Sequence, residues 1–169
     1  VCAGAVILPK ELCIPGLDDS KKLTEKKREA LYDVIKETAV SYGIAFASEK
    51  EIDEMNILNA TFLAMKRAVK KLGVKPDLAL IDGNQKPHTG INEVTVIKGD
   101  GKSMSIAAAS VLPKVTRDRY MIELDKKYPQ YEFRKHKGYG TKLHYEKLLE
   151  YGISDVHRKT FLKNLEDKR

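Results

Sequence analysis

Short apolar runs alternate with segments that carry an apolar stripe at helical spacing, and this alternation limits the available folds more than any other feature of the chain. Cys2-Ala3-Gly4-Ala5-Val6-Ile7-Leu8 reads as a strand, and Pro9, Pro15, Gly16 and Asp18-Asp19-Ser20 then mark a loop. Thr24 followed by Glu25 is a helix start. Leu31, Val34, Ile35, Thr38, Ala39 and Tyr42 share one face, so the spacing predicts an amphipathic helix over 24–42 that Gly43 ends. Ile44-Ala45-Phe46-Ala47 is a short strand. The next helix, over 51–72, places Ile57, Leu58, Thr61, Met65, Val69 and Leu72 on one face and its lysines elsewhere. Two further strand-like runs, 78–81 and 94–97, close in Asp82-Gly83-Asn84 and Gly99-Asp100-Gly101. From Ser105 an Ala-rich stripe continues through Val115, Tyr120, Met121 and Leu124, which predicts one helix kinked at Pro113. A last helix covers about 141–151. With 169 residues and no repeat, low-complexity tract or linker, the pattern is that of one α/β domain.

Composition narrows the class. Hydrophobic residues make up 42% and charged residues 33%, with a mean hydropathy of -0.41, which excludes a disordered tail, a fibre and a polytopic membrane protein. Lys and Arg total 31 against 24 Asp and Glu, and the resulting charge of +7 leans toward polyanionic partners without naming one. Cys2 and Cys13 have a spacing that suits neither a zinc site nor a disulfide framework, which points to a reducing compartment. No apolar run approaches the roughly 18 residues of a membrane span, and no basic segment precedes a short apolar stretch. The expectation is a cytoplasmic protein with no membrane association.

The most informative chemistry is the pair of aspartates beside glycine at the ends of consecutive strands, Asp82 and Asp100. Carboxylates at strand ends converge on one edge of an α/β sheet, and hard divalent cations such as Mg²⁺ take oxygen ligands of this kind. Asp-Gly is also ordinary turn chemistry, and the sequence leaves both readings open. Gly101-Lys102-Ser103 matches the end of a phosphate-binding P-loop, but the first glycine of that motif falls on Val96, inside a strand. A P-loop is therefore excluded, while Lys102 and the amides near Ser103 remain able to cradle a phosphate. Lys21 and Lys22 lie in a loop before a helix, either as solvated charge or as phosphate contacts. Tyr139 sits between glycines beside Lys135, His136 and Lys137, the aromatic-plus-basic pattern of a nucleic-acid contact. The four histidines form no i, i+4 pair with a glutamate, and neither Ser110 nor Cys13 has a base partner, so zinc and nucleophilic hydrolase chemistry gain no support.

With these residues assembled, the chain from Val1 to about Phe161 resembles ribonuclease HII. The resemblance rests on Leu17-Asp18-Asp19-Ser20-Lys21-Lys22-Leu23, Asn56-Ile57-Leu58-Asn59-Ala60-Thr61, Ile81-Asp82-Gly83-Asn84, Lys98-Gly99-Asp100, Lys114-Val115-Thr116-Arg117-Asp118 and His136-Lys137-Gly138-Tyr139-Gly140-Thr141, in that order. It implies an RNase H-like fold, α/β with a central mixed β-sheet flanked by helices and a C-terminal helical extension. Residues 1–128 would be the catalytic core and 129–169 a substrate-binding extension of the same domain. It further implies hydrolysis of the phosphodiester 5′ to a ribonucleotide, in an RNA–DNA hybrid or embedded in duplex DNA, by two-metal-ion catalysis with Mg²⁺ or Mn²⁺. The products would be a 3′-hydroxyl and a 5′-phosphate, and the enzyme a monomer.

Carried over residue by residue, Asp82 and Asp100 match two of four metal-binding carboxylates, and Tyr139 matches the tyrosine that packs on the sugar beside the ribonucleotide. Lys21, Lys22, Ser103 and Lys137 are candidates for the nucleic acid. Asp118 is expected to pair with Arg117, Arg119 or another basic neighbour rather than with metal. The family pattern also has an Asp-Glu pair and a Gly-Arg-Gly motif just before the segment matching Cys2-Ala3-Gly4-Ala5. The expectation is therefore that a first, central strand with two more metal ligands is missing and that the chain alone is inactive. The alternative is a non-catalytic nucleic-acid-binding module.

Overall fold

The computed structural model describes residues 1–165. Strand β1 (Cys2–Ile7) pairs antiparallel with β2 (Ser41–Phe46), Gly4 opposite Ile44 and Ala5 opposite Gly43. Successive side chains of a strand point to opposite faces, so this two-stranded ladder separates two cores. On one side Val6, Tyr42 and Ile44 pack against Leu31, Tyr32 and Ile35 of α1 (Glu25–Thr38) and Ala108, Val111 and Leu112 of α3 (Met104–Lys127). On the other, Ala3 and Ala47 meet Ile52, Ala60 and Ala64 of α2 (Glu49–Lys70). Each helix closes on the ladder over a glycine. A Cβ at Gly4 would lie 2.6 Å from the Ala109 carbonyl oxygen of α3, and one at Gly43 would lie 2.1 Å from that of Ala68 in α2.

The first helix ends earlier than its stripe predicts. Thr24 caps it by accepting a hydrogen bond from the Lys27 amide, but the chain turns extended at Ala39 and the Val40 amide already donates to Ile7 O at 2.8 Å. Tyr42 satisfies a helical spacing and an alternation with Ile44 equally well; pairing opposite Val6 decides for the strand. Gly43 is therefore a strand residue under α2, not a helix stop. Helix α2 begins with a capping box between Ser48 and Glu51, and at Asn56 (φ 71°, ψ 166°) it breaks and restarts, the Asn56 side chain accepting from the Asn59 amide. Helix α3 runs through Pro113 from its cap at Ser103.

Strands β3 (Leu78–Asp82) and β4 (Asn92–Val96) pair in parallel. The mixed sheet is thus present as two halves, one antiparallel and one parallel, and among the described residues no strand pairs β1 with β3. Between these edges runs an apolar groove of about 490 Å³, with Met65 and Val69 of α2 and Ile106 and Pro113 of α3 among its walls. One end of it reaches Asp82.

Beyond α3, the short α4 (Phe133–His136) and α5 (Lys142–Tyr151) enclose a third core of Met121, Tyr131, Phe133 and Leu148. Residues 166–169 of the expected extension lie outside the described residues. Among those described, no helix is long and apolar enough to cross a membrane.

Three histidines are buried in this third core, His136 stacked on His144 at 4.1 Å between ring centroids and His157 at 5.4 Å from His144. His136 bridges Tyr131 O and the Gly138 amide, and His144 Nδ1 bonds Tyr139 O, whereas Nε2 of His144 and of His157 find no partner among the described residues. Burial pushes His144 down to about 4 and lowers His157 as well. The unfolded chain then binds protons below about pH 6.5 that the folded chain refuses, so this contribution is complete above that pH and is lost as the pH falls toward 4. We expect urea-unfolding stability to drop by roughly 2 kcal/mol between pH 7 and pH 5. His144→Asn should flatten the profile; an unchanged profile in that variant would contradict the assignment.

Candidate functional site

Asp82 ends β3, and Asp100 sits in a 3₁₀ turn (Gly99–Gly101) that follows β4. The two segments are fastened by a hydrogen bond from the Gly99 amide to Asp82 Oδ1 at 2.8 Å. Lys98 takes a left-handed conformation to enter the turn (φ 54°), and Gly99 is pressed against Ile106, where a Cβ would come within 2.5 Å of Ile106 Cδ1. The Asp-Gly pairs are therefore turn chemistry and convergent carboxylates at once.

A third carboxylate arrives from the loop before α1. Asp19 accepts the Lys21 amide at 2.9 Å, which folds the loop into a tight turn, and its carboxyl group lies near enough to that of Asp100 for each to shift the other's ionisation. Partial burial pushes the Asp100 carboxyl up, and the neighbouring charges of Asp82 and Asp19 push it further. Asp19 moves the opposite way, held down first by the Lys21 amide. The sequence reading treats Asp19 as part of a loop. Its approach to Asp100 is a through-space contact that no local pattern announces.

The same turn delivers the predicted lysines. Lys21 and Lys22 are exposed; Lys22 Nζ lies 3.6 Å from Asp18, while Lys21 extends from the turn that Asp19 fixes. Ser103 caps α3, its Oγ accepting from the Ile106 amide at 3.4 Å, which leaves the hydroxyl hydrogen to donate outward. Asp82, Asp100, Asp19, the two lysines and Ser103 thus form one neighbourhood. Tyr139 and Lys137 lie elsewhere. The Tyr139 ring, 53% exposed, sits over Arg117 at 5.2 Å and Lys114 at 5.9 Å, and Lys114 is roughly 16 Å along α3 from Ser103 at 1.5 Å per residue. Left-handed conformations at Lys137 and Gly138 (φ 50° and 75°) turn the chain so that the Tyr139 ring faces α3, and Arg158 holds the Gly138 carbonyl at 3.2 Å.

Asp118 pairs as expected with basic neighbours, though not with Arg117 or Arg119. Its buried carboxylate accepts from Lys114 Nζ at 2.9 Å and lies 4.0 Å from Arg28. Arg119 bonds Glu29 instead.

Crowded carboxylate oxygens are the donor set a hard divalent cation takes. Asp82 and Asp100 fit that chemistry and would hold such an ion, but among the described residues no three His, Cys, Asp or Glu side chains are placed to close around one. Charge crowding costs stability that a cation or a neutral side chain relieves. In chelator, Asp100→Asn should therefore raise the melting temperature by about 1–3 °C. Adding Mg²⁺ should raise that of the unaltered protein but not of the variant; equal responses would remove Asp100 from the ion site.

Comparison with known proteins gives a consistent result. A family model described as Ribonuclease HII matches residues 1–164. The chain is 58% identical over 162 residues to a Ribonuclease HII of Endomicrobium trichonymphae, covering 95% of this chain and 77% of that one. It is 53% identical over 165 residues to a Ribonuclease HII of Caldicellulosiruptor bescii, covering 98% and 80%. Among solved structures it is similar to the ribonuclease H2 of Pyrococcus horikoshii OT3 (TM-score 0.77, 24% identity, 90% and 80% coverage), a likeness of fold. It is also similar to a chain in the PCNA:RNase HII complex of Archaeoglobus fulgidus (TM-score 0.67, 26% identity, 89% and 80% coverage).

Proposed function

The chain belongs to the ribonuclease HII family, and from that premise we propose that it hydrolyses the phosphodiester 5′ to a ribonucleotide, in RNA–DNA hybrids or in duplex DNA, leaving a 3′-hydroxyl and a 5′-phosphate. The observation that carries this reading is the convergence of Asp82 and Asp100 beside a lysine-bearing turn. Acidic oxygens able to hold Mg²⁺ or Mn²⁺ stand next to cations able to hold the phosphate backbone. When bound, such ions lower the pKa of a water and offset the charge that gathers on the phosphate oxygens. No side-chain nucleophile is needed.

In this reading the chain's own residues do the positioning. Asp82 is oriented by the Gly99 amide, and Asp100 by its place in the 3₁₀ turn. Lys21, Lys22, Lys137 and the Ser103 hydroxyl contact phosphates, so affinity falls as salt rises. Tyr139, open on its outer face, packs on the sugar next to the ribonucleotide, and the 2′-hydroxyl sets the cleavage position. Residues 129–169 act as the substrate-binding extension. We place the enzyme in the cytoplasm as a monomer.

Two carboxylates do not make a complete site, and the groove between β1 and β3 supports an answer. It is mainly apolar, it is bounded by two strand edges that among the described residues have no partner across it, and Asp82 is among its lining residues. An extended strand seated there would satisfy both edges and carry further carboxylates past Asp82. The rival reading, a non-catalytic binding module, draws on the lack of three clustered metal-ligating side chains among the described residues.

The test is a DNA duplex carrying one ribonucleotide, incubated with Mg²⁺ or Mn²⁺ and the protein, alone and joined to an upstream segment containing an Asp-Glu pair. We expect cleavage 5′ to the ribonucleotide by the joined form, lowered by about 10²–10³ in Asp82→Asn or Asp100→Asn with binding largely kept. A folded joined form that binds the duplex without cutting it would favour the binding module.

A further inference from the structure

The Lys21–Lys22 turn and Tyr139 are far apart in sequence and sit at different places along α3, yet one buried carboxylate touches the supports of both. Arg28 Nη1 donates to the carbonyls of Ser20, at 3.0 Å, and Leu23, and so grips the turn on either side of the two lysines. Its Nη2 lies 4.0 Å from Asp118. The other oxygen of Asp118 accepts from Lys114 at 2.9 Å, and that ammonium stands 5.9 Å from the centre of the Tyr139 ring, beside Arg117 at 5.2 Å. Asp118 is 5% exposed, and the Arg28 and Lys114 side chains are 13% and 26% exposed.

A buried carboxylate held by two cations has little freedom, and neither cation can move without leaving it underpaired. The geometry points to Asp118 as a positioning residue: through Arg28 and Lys114 it fixes the lysine turn and the Tyr139 ring at a set separation, so that both engage one nucleic-acid duplex. This rests on the proposed function. It assigns to Asp118 neither a metal nor a reacting atom. The effect is carried by placement, and it should appear in affinity and in the environment of the ring.

Fluorescence anisotropy with a labelled RNA–DNA hybrid tests it without requiring cleavage. Asp118→Asn keeps the shape and removes the charge; it should weaken binding about tenfold, with Asp118→Glu recovering part of the loss. Lys114→Met should weaken binding too, and the double variant should be no worse than the weaker of the two singles. A general loss of structure would instead make the effects multiply. The chain contains no tryptophan, so Tyr139→Trp supplies a single reporter of the ring position. In that background Asp118→Asn should shift the emission and increase iodide quenching. Multiplying effects, or native affinity and unchanged emission in Asp118→Asn, would overturn the proposal. Should Asp118→Asn not fold, Lys114→Met decides in its place: native affinity there would overturn the link to Tyr139. No binding by the unaltered protein would count against the nucleic-acid reading itself, and the tryptophan emission would still decide whether Asp118 places the ring.

Discussion

Two helices close on the β1–β2 ladder from opposite faces, and each makes its nearest approach where a side chain is lacking. Gly43 lets the Ala68 carbonyl of α2 come against the strand, and Gly4 does the same for the Ala109 carbonyl of α3. The second contact has a further cause. Pro113 has no amide hydrogen to donate to the carbonyl four residues earlier, and that carbonyl belongs to Ala109. The helix turn that would otherwise be a defect is the one that rests on Gly4, with the proline ring beside it. Once α3 is seated there, its N-terminus fixes Ser103, packs Ile106 on Gly99 and so places the turn that bears Asp100. Its middle presents Lys114, Arg117 and Asp118 on the way to Tyr139.

The site that results is electrostatically unfinished in an informative way. Burial and the charges of Asp82 and Asp19 both oppose ionisation of Asp100, while exposed lysines stand on the adjoining turn. Negative oxygens pressed together and positive groups beside them are what a phosphodiester and its counter-cations need jointly. The divided sheet belongs to the same picture, because Asp82 is among the residues that line the apolar groove between its halves.

Much of this could be read from the chain itself, and the failures have physical reasons. The ends of β3 and β4 were legible because Asp and Gly both punctuate strands and carry chemistry. The α1 boundary was not: Tyr42 fits periods of 3.6 and of 2, and only its partner Val6 resolves the choice. The break at Asn56 was hidden because the apolar stripe resumes beyond it, and its signal was an asparagine three residues before another residue whose amide it could cap. Asp19 and Asp118 belong to a third kind. Their roles depend on what arrives from elsewhere in the chain, and a sequence shows an acidic residue among lysines without showing that Asp19 meets Asp100 or that Asp118 meets Lys114 and Arg28. The family resemblance supplied Asp82, Asp100 and Tyr139 together; the structure separates them into two neighbourhoods along α3.

The most direct measurement is the position of Mn²⁺ in crystals of the protein with an RNA–DNA hybrid, located by anomalous scattering at the manganese edge. We expect a peak coordinated by the carboxylates of Asp82 and Asp100, with a backbone phosphate of the hybrid on its open side and the Tyr139 ring against a sugar of the same duplex. A hybrid bound with no manganese at those two aspartates, or with the ion held elsewhere, would contradict the assignment of this edge of the sheet as the site of cleavage.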